Sequence, residues 1–261
     1  MRRNDAEQVY ISRITYSIFL HLPALVIIKR MSFILNIDTS LDTAHVCISN
    51  KTDVVGAAVN YEQKDHAAWL HSAINLLLQQ AAIKIEALNA VAVVEGPGSY
   101  TGLRVGMAAA KGFCYANELP LILIPTLTLM ASGTLRQIKK IFNETEMKKK
   151  LICPMIDARR MEVYTALYTT EMQILLAPCA MVLSKNSFDD WRKTNEIIFT
   201  GNGSKKWQIN FAEKIDYIQA DAYDVNDLVL HSYKSYLQSN FVNTAYADAT
   251  YLKDFYTSKK V

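Results

Sequence analysis

Between Glu95 and Gly106 the chain reads Glu-Gly-Pro-Gly-Ser-Tyr-Thr-Gly-Leu-Arg-Val-Gly, which packs four of the nine glycines of a 261-residue sequence into one short segment. The apolar run Ala90–Val94 precedes it, and a proline-free stretch follows from Thr101 to Asn117. A buried strand, a glycine turn and then a helix make an α/β unit, so an all-helical or all-β architecture is excluded at the outset. Gly96 and Gly98 permit backbone conformations that a side chain forbids, and Ser99 or Thr101 can cap the helix. Free N–H groups at such a terminus form an anion site. The segment is not a GxxxxGK[ST] loop, and Gly102-x-x-x-Gly106 does not have the spacing of a dinucleotide fingerprint. A tight structural turn and a phosphate site both remain open on these residues alone.

The flanking sequence repeats this α/β grammar. Phe33–Asp38, Ala44–Ser49 and Val54–Val59 read as strands joined by short turns, which favours an antiparallel meander. His66–Ile83 holds no Asp, Glu, Lys or Arg, and twelve of its eighteen residues are apolar, so it reads as a helix with apolar groups nearly all round. Leu121–Ile124 is a further strand, and Thr126–Phe142 reads as helical. The polar stretch Asn143–Lys150 then divides the chain. Beyond it, Leu151–Asp157 and Glu162–Thr169 read as strands around the turn Asp157-Ala158-Arg159-Arg160. Ile197–Thr200 runs into Gly201-Asn202-Gly203 and a helix, Val225–Leu237 is helical, and Ala249–Leu252 reads as a last short strand. Two halves that each open on a strand, an Asp-containing turn and another strand predict two related lobes, 31–142 and 151–261.

Composition narrows the classes. The sequence is 51% hydrophobic and 20% charged, ordinary for a globular protein and unlike a disordered chain. Its four cysteines show no CxxC pairing, so neither a zinc nor a disulfide framework is expected, which suits a cytoplasmic location. The net charge of +3 comes from the first thirty residues, because 23 basic and 23 acidic residues remain beyond them. A neutral body argues against a stand-alone nucleic-acid binder. Ile14–Ile28 is apolar but is interrupted by Ser17, His21 and Pro23, falls short of the ~20 residues of a membrane span, and lacks a small-residue cleavage site. The expectation is that 1–30 is an extension outside the fold and that Met31 is the start.

Ile37-Asp38-Thr39-Ser40 places a carboxylate and two hydroxyls at the end of the first strand. Such a turn approaches phosphate and metal in actin-like phosphotransferases, or it is an Asx-turn closing a hairpin. Ile34–Ser40, Gly96–Gly106, Ile156-Asp157-Ala158-Arg159 with Glu162-Val163-Tyr164, Gly201-Asn202-Gly203 and Tyr251-Leu252-Lys253 occur in the order and spacing of the TsaB (YeaZ) family. The chain resembles that family over about residues 32–253. The resemblance implies a two-lobed actin-like fold (Hsp70–actin–sugar kinase) with mixed sheets flanked by helices. It also implies a role as a noncatalytic subunit in making threonylcarbamoyladenosine in tRNA. The expected partners are the paralogous transferase TsaD in a heterodimer, the ATPase TsaE through the assembly, tRNA only through the complex, and a second copy as an alternative homodimer. No membrane, metal or cofactor is expected.

On this resemblance, Asp38, Thr39, Ser40, Gly96, Gly98, Ser99, Asp157, Gly201 and Gly203 are candidates for a vestigial phosphate site. TsaD carries a His-x-x-x-His pair after the strand that Leu121–Ile124 matches, and Thr126 and Met130 stand there instead. His66 and His71, at i and i+5, face directions too far apart on a helix to chelate one ion, so a surface or interface role is expected. Two apolar stripes on each of the two helices exceed what packing on one sheet requires. The expected partner interface is Trp69, Leu70, Ile74 and Leu77 with Gly102, Val105, Gly106, Ala109 and Phe113. Gly106→Leu is accordingly expected to block docking without much loss of stability. The competing function is an ATP-dependent kinase or metallopeptidase of the same fold.

Overall fold

The computed structural model describes residues 7–11, 31–62, 65–211, 218–219 and 222–253. The chain divides into two compact units, one of residues 1–126 and 225–249 and one of 127–224 and 250–261.

The first unit opens on β1 (Glu7–Ile11), β2 (Phe33–Asp38), β3 (Ala44–Asn50) and β4 (Asp53–Asn60). Helix α1 (His66–Gln80), β5 (Leu88–Gly96), α2 (Tyr100–Asn117) and β6 (Leu121–Pro125) follow. The sheet runs β1-β4-β3-β2-β5-β6. β2 to β4 form the antiparallel meander, and β5 and β6 add in parallel. A parallel strand needs both faces covered, and the uncharged run Ala90–Val94 is 0–2% exposed. Leu35, Ile37, Val46 and Ile48 meet the apolar sides of α1 and α2 on one face of this sheet. The intervening Cys47, with Ala57, meets Val229 on the other. That alternation is the two-residue period of a strand. α1 stops before the expected Ile83 because Ala82 turns left-handed, with φ 53°.

α3 (Thr126–Ile138) leads into the second unit, followed by α4 (Glu144–Met147), β7 (Lys150–Asp157), β8 (Glu162–Thr169) and β9 (Ile174–Val182). Then come α5 (Asp189–Arg192), β10 (Glu196–Thr200), α6 (Ser204–Phe211) and β11 (Ile218–Gln219). The sheet order is β11-β10-β7-β8-β9. Phe188, Phe199 and Trp207 fill its core with ring centroids 5.1–5.3 Å apart. β4-β3-β2-β5-β6 and β9-β8-β7-β10-β11 are the same arrangement, with three antiparallel strands and then two parallel ones. The repeat in the sequence is therefore a duplicated α/β topology, the actin-like fold expected.

Four expectations are corrected. α7 (Val225–Leu237) belongs to the first unit rather than to a lobe at 151–261, because Val225 and Val229 match the apolar patch of Cys47, Val54 and Ala57. α3 joins the second unit from Leu127, so the unit boundary precedes the polar stretch 143–150. The extension 1–30 is not wholly outside the fold, since Glu7–Ile11 pairs antiparallel along the open edge of β4. An edge of unpaired N–H and C=O groups accepts such a strand. The remainder of 1–30 lies outside the described residues. Ala249–Leu252 forms no strand.

Candidate functional site

The turn after β2 and the start of α2 are built into each other. Asp38 Oδ1 accepts from the Ser40 N–H at 2.9 Å and from the Ser40 hydroxyl at 2.7 Å. The Ser40 carbonyl accepts from the Ser99 N–H at 2.7 Å, and Thr39 Oγ1 donates to the Gly102 carbonyl at 2.7 Å. Ser99 caps α2 by accepting from Gly102 N–H at 3.4 Å. A Cβ at Gly98 would strike the Ser40 carbonyl, one at Gly102 the Thr39 carbonyl, and one at Gly106 the Thr39 hydroxyl. These glycines are required because the 38–40 turn lies directly on the helix. Asp38, Thr39 and Ser40 are 0–1% exposed.

This geometry favours the structural reading of the turn. Asp38 closes an Asx-turn, and the Ser99 N–H that an anion would use is given to a backbone carbonyl. Asp38, Thr39, Ser40, Gly98 and Ser99, expected as parts of a vestigial phosphate site, are thus engaged in holding the turn against the helix.

Asp157, Gly201 and Gly203 gather at one end of the second sheet. Asn202 Oδ1 accepts from the Asp157 N–H at 2.9 Å, and Gly203 N–H donates to Met155 O at 3.0 Å. Gly201 has φ 87° and lies against Met130 and the Met155 carbonyl, so a side chain there would be both strained and crowded. Sequence reasoning did not single out Lys206, whose ammonium donates to Asp157 Oδ1 at 2.7 Å and to the Glu162 carbonyl at 2.9 Å. Lys253 pairs with Glu162. Motif segments about a hundred residues apart thus converge on one turn, Asp157–Glu162. Within it Arg159 and Arg160 have φ 67° and 50°. A left-handed non-glycine residue costs roughly 1–2 kcal/mol, and two in succession are held by the bonds around them.

Thr126 and Met130 are 0% and 1% exposed, with Met130 packed on Gly201. His66 is 3% exposed with Nε2 3.4 Å from Leu41 O, so its role is internal rather than at the surface. His71 is exposed and stacks obliquely on Phe113 at 6.1 Å. The expected interface also needs correction. Leu70, Ile74 and Leu77 are 0–1% exposed, Ala109 is 5%, and Gly102 and Gly106 are buried against the Thr39 turn. Their small or apolar side chains serve the first unit's own core. Trp69, Val105 and Phe113 remain half-exposed at its rim.

The outward faces of the two helices carry other residues. Ala67, Ala68, His71 and Ser72 of α1 are exposed, as are Ala108, Gly112 and Tyr115 of α2. A Cβ at Gly112 would meet none of the described residues within 4 Å. Beside this face a groove of about 520 Å³ is lined by Ile74, Leu78, Ile83 and Phe113 among others. No described helix is long and apolar enough to cross a membrane.

Comparison with known proteins agrees with this layout. The family model "TsaD: tRNA N6-adenosine threonylcarbamoyltransferase" matches residues 56–195, just over half of the chain. The chain is similar to the tRNA threonylcarbamoyladenosine biosynthesis protein TsaB of Bacillus subtilis, with 34% identity over 136 residues, 52% of this chain and 54% of that protein. Its similarity to TsaB of Buchnera aphidicola from Schizaphis graminum is 28% over 177 residues, covering 66% and 80%. The match thus spans about half the length of the Bacillus relative. The solved YeaZ of Pseudomonas aeruginosa has the same fold, with a TM-score of 0.65 and 21% identity, covering 85% of this chain and 100% of that one.

Proposed function

The chain belongs to the TsaD family, in its TsaB (YeaZ) group, and from that premise we propose that it is a noncatalytic subunit in threonylcarbamoyladenosine synthesis on tRNA. In this role it binds and activates a TsaD-type transferase, engages the ATPase TsaE only through the assembly, and works in the cytoplasm. The observation that carries the reading is the sealed turn at Asp38. A carboxylate that is 0% exposed and holds Ser40 through Oδ1 is committed to the turn, which supports a structural rather than a catalytic use of it. Close packing of Thr126 and Met130, where the transferase has its histidine pair, supports the same conclusion.

Partner binding falls to the outward faces of α1 and α2. Ala67, Ala68, Ser72, Ala108 and Gly112 are small, so another helix can approach their backbone closely, with the exposed Arg104 one turn before Ala108 left to meet a polar or acidic group of the partner. Trp69, Val105 and Phe113 border that surface and are the retained members of the expected interface. A glycine inside a helix costs up to ~1 kcal/mol relative to alanine. Gly106 has an internal reason in Thr39, whereas Gly112 has none among the described residues. The same face in a second copy would serve a homodimer.

Co-purification with the transferase paralogue, run alongside an ATPase assay of the isolated chain, tests the proposal. The expected result is a stable heterodimer and no turnover. ATP turnover by the isolated chain, abolished in Asp38→Asn, would overturn the noncatalytic reading.

A further inference from the structure

The Asp157–Glu162 turn presents positive charge on a backbone that is costly to hold. Arg159 N–H donates to Asp157 Oδ1 at 2.6 Å, Ala158 N–H to the Glu162 carbonyl at 3.1 Å, and Glu162 N–H to the Arg159 carbonyl at 3.1 Å. Those bonds fix Arg159 and Arg160 in left-handed conformations. A connection that had only to reverse the chain would be made with less strain by asparagine and glycine, the residues that tolerate φ > 0. Strain of this kind gathers where a side chain must be shown in one place. Here the side chains shown are two exposed guanidinium groups, neither paired with a described carboxylate.

The neighbouring charges sharpen the point. Lys206 is neutralised by Asp157 and Lys253 by Glu162, so the excess positive charge rests on Arg159, Arg160 and the exposed Lys205 at the start of α6. Guanidinium groups on a fixed backbone suit phosphate oxygens, which they meet with paired donors. Beyond residue 30 the chain carries 23 basic and 23 acidic residues with this turn included, so the turn is a local positive feature on a body that is neutral overall.

We propose that the Asp157–Glu162 turn is a contact for the phosphodiester backbone of RNA. It leans on the proposed function only for the choice of tRNA as the RNA. One turn on a neutral body binds weakly alone, and becomes effective when a partner holds the same RNA and raises its local concentration. The contact positions the RNA and carries no sequence preference.

The test uses the full chain and a fluorescently labelled tRNA transcript, with anisotropy followed as salt is raised from low concentration. Binding should fall in the non-specific range, roughly 10⁻⁴ to 10⁻⁶ M at physiological salt, and tighten as salt is lowered. Each phosphate contact contributes ~0.7–0.9 to the slope of log K against log salt, so losing two should reduce the slope by about 1.5. Arg159→Asn with Arg160→Gly should show that reduction and at least ~tenfold weaker binding, without losing melting temperature. Arg159→Gln with Arg160→Gln removes the charge without changing the turn chemistry in the same way, and should weaken binding equally. Arg159→Lys with Arg160→Lys should retain most of it. No RNA binding by the wild-type chain, or unchanged binding in both neutral variants, would overturn the proposal. Displacement of the RNA by ATP at matched phosphate concentration would assign the turn to a nucleotide instead and overturn it too. Partner capture by the same variants should be unaffected. Failure of the wild-type chain to capture the transferase would defeat the proposed function while leaving the RNA result standing.

Discussion

Gly106→Ala and Gly112→Ala make the same chemical change on one helix and should have opposite effects. At Gly106 the new methyl would strike Thr39 Oγ1, which is held by its 2.7 Å bond to the Gly102 carbonyl, with Val93 and Ile37 3.5 and 3.6 Å away. Displacing Thr39 loses a buried hydrogen bond, ~1 kcal/mol, and adds crowding of ~1–3 kcal/mol. The better helix propensity of alanine returns ~1 kcal/mol. The net loss is about 1–3 kcal/mol, or roughly 3–10 °C in melting temperature for a chain of this size. At Gly112 the methyl meets none of the described residues, so only the propensity gain remains and the melting temperature should rise by about 2–3 °C. Thermal melts of the isolated variants check both. A Gly106→Ala chain as stable as wild type would refute the packing of the 38–40 turn on α2. It would also restore the expectation, reversed by this structure, that Gly106 is free to take a larger side chain.

Asp38→Ala should cost about 2–4 kcal/mol in urea unfolding, because it leaves the Ser40 N–H and hydroxyl without their buried acceptor, whereas Asp38→Asn keeps Oδ1 and should lose less. Burial raises the thiol pKa of Cys47 and Cys153 to about 12 and of Cys114 to about 11, so a thiol reagent at mildly alkaline pH should label the half-buried Cys179 first, and the other three only on unfolding. His231 is held below its ordinary value of 6.5 chiefly by burial, with Asp227 opposing and Lys234 assisting. Its neutral form is favoured in the folded chain, so its contribution is present above pH 6.5 and is lost as pH falls through the folded value; His231→Gln should flatten that part of the stability profile.

The buried strands, the glycine turn and the duplicated plan were legible because each rests on local pattern. Alternation marks the meander, and Ala90–Val94 is too uniformly apolar for a half-exposed strand. The residues facing Gly106 were not legible, because a helical wheel shows that a small residue admits a neighbour without saying which one. Thr39, which meets that helix, is 63 residues before its hydrogen-bond partner Gly102. The same gap turned Leu70, Ile74 and Leu77 into expected interface residues, since two apolar stripes look surplus until both sheet and neighbouring helix are counted. β9 escaped notice for the opposite reason. Ile174, Leu175 and Val182 are apolar but 58%, 45% and 68% exposed on an edge strand, and Pro178 interrupts the run. The convergence of Asp157, Gly201–Gly203 and Lys253 could be read only as a family pattern, because chain separation hides that they share one end of a sheet.

The central claim is that this chain supports tRNA modification without performing it. The direct measurement is threonylcarbamoyladenosine formed in a tRNA transcript by the TsaD-type transferase and its ATPase partner, with and without this chain. The account predicts little product without it, full product with the wild-type chain or with Asp38→Asn, and none from the chain alone. Undiminished product in its absence, or product from the chain by itself, would contradict it.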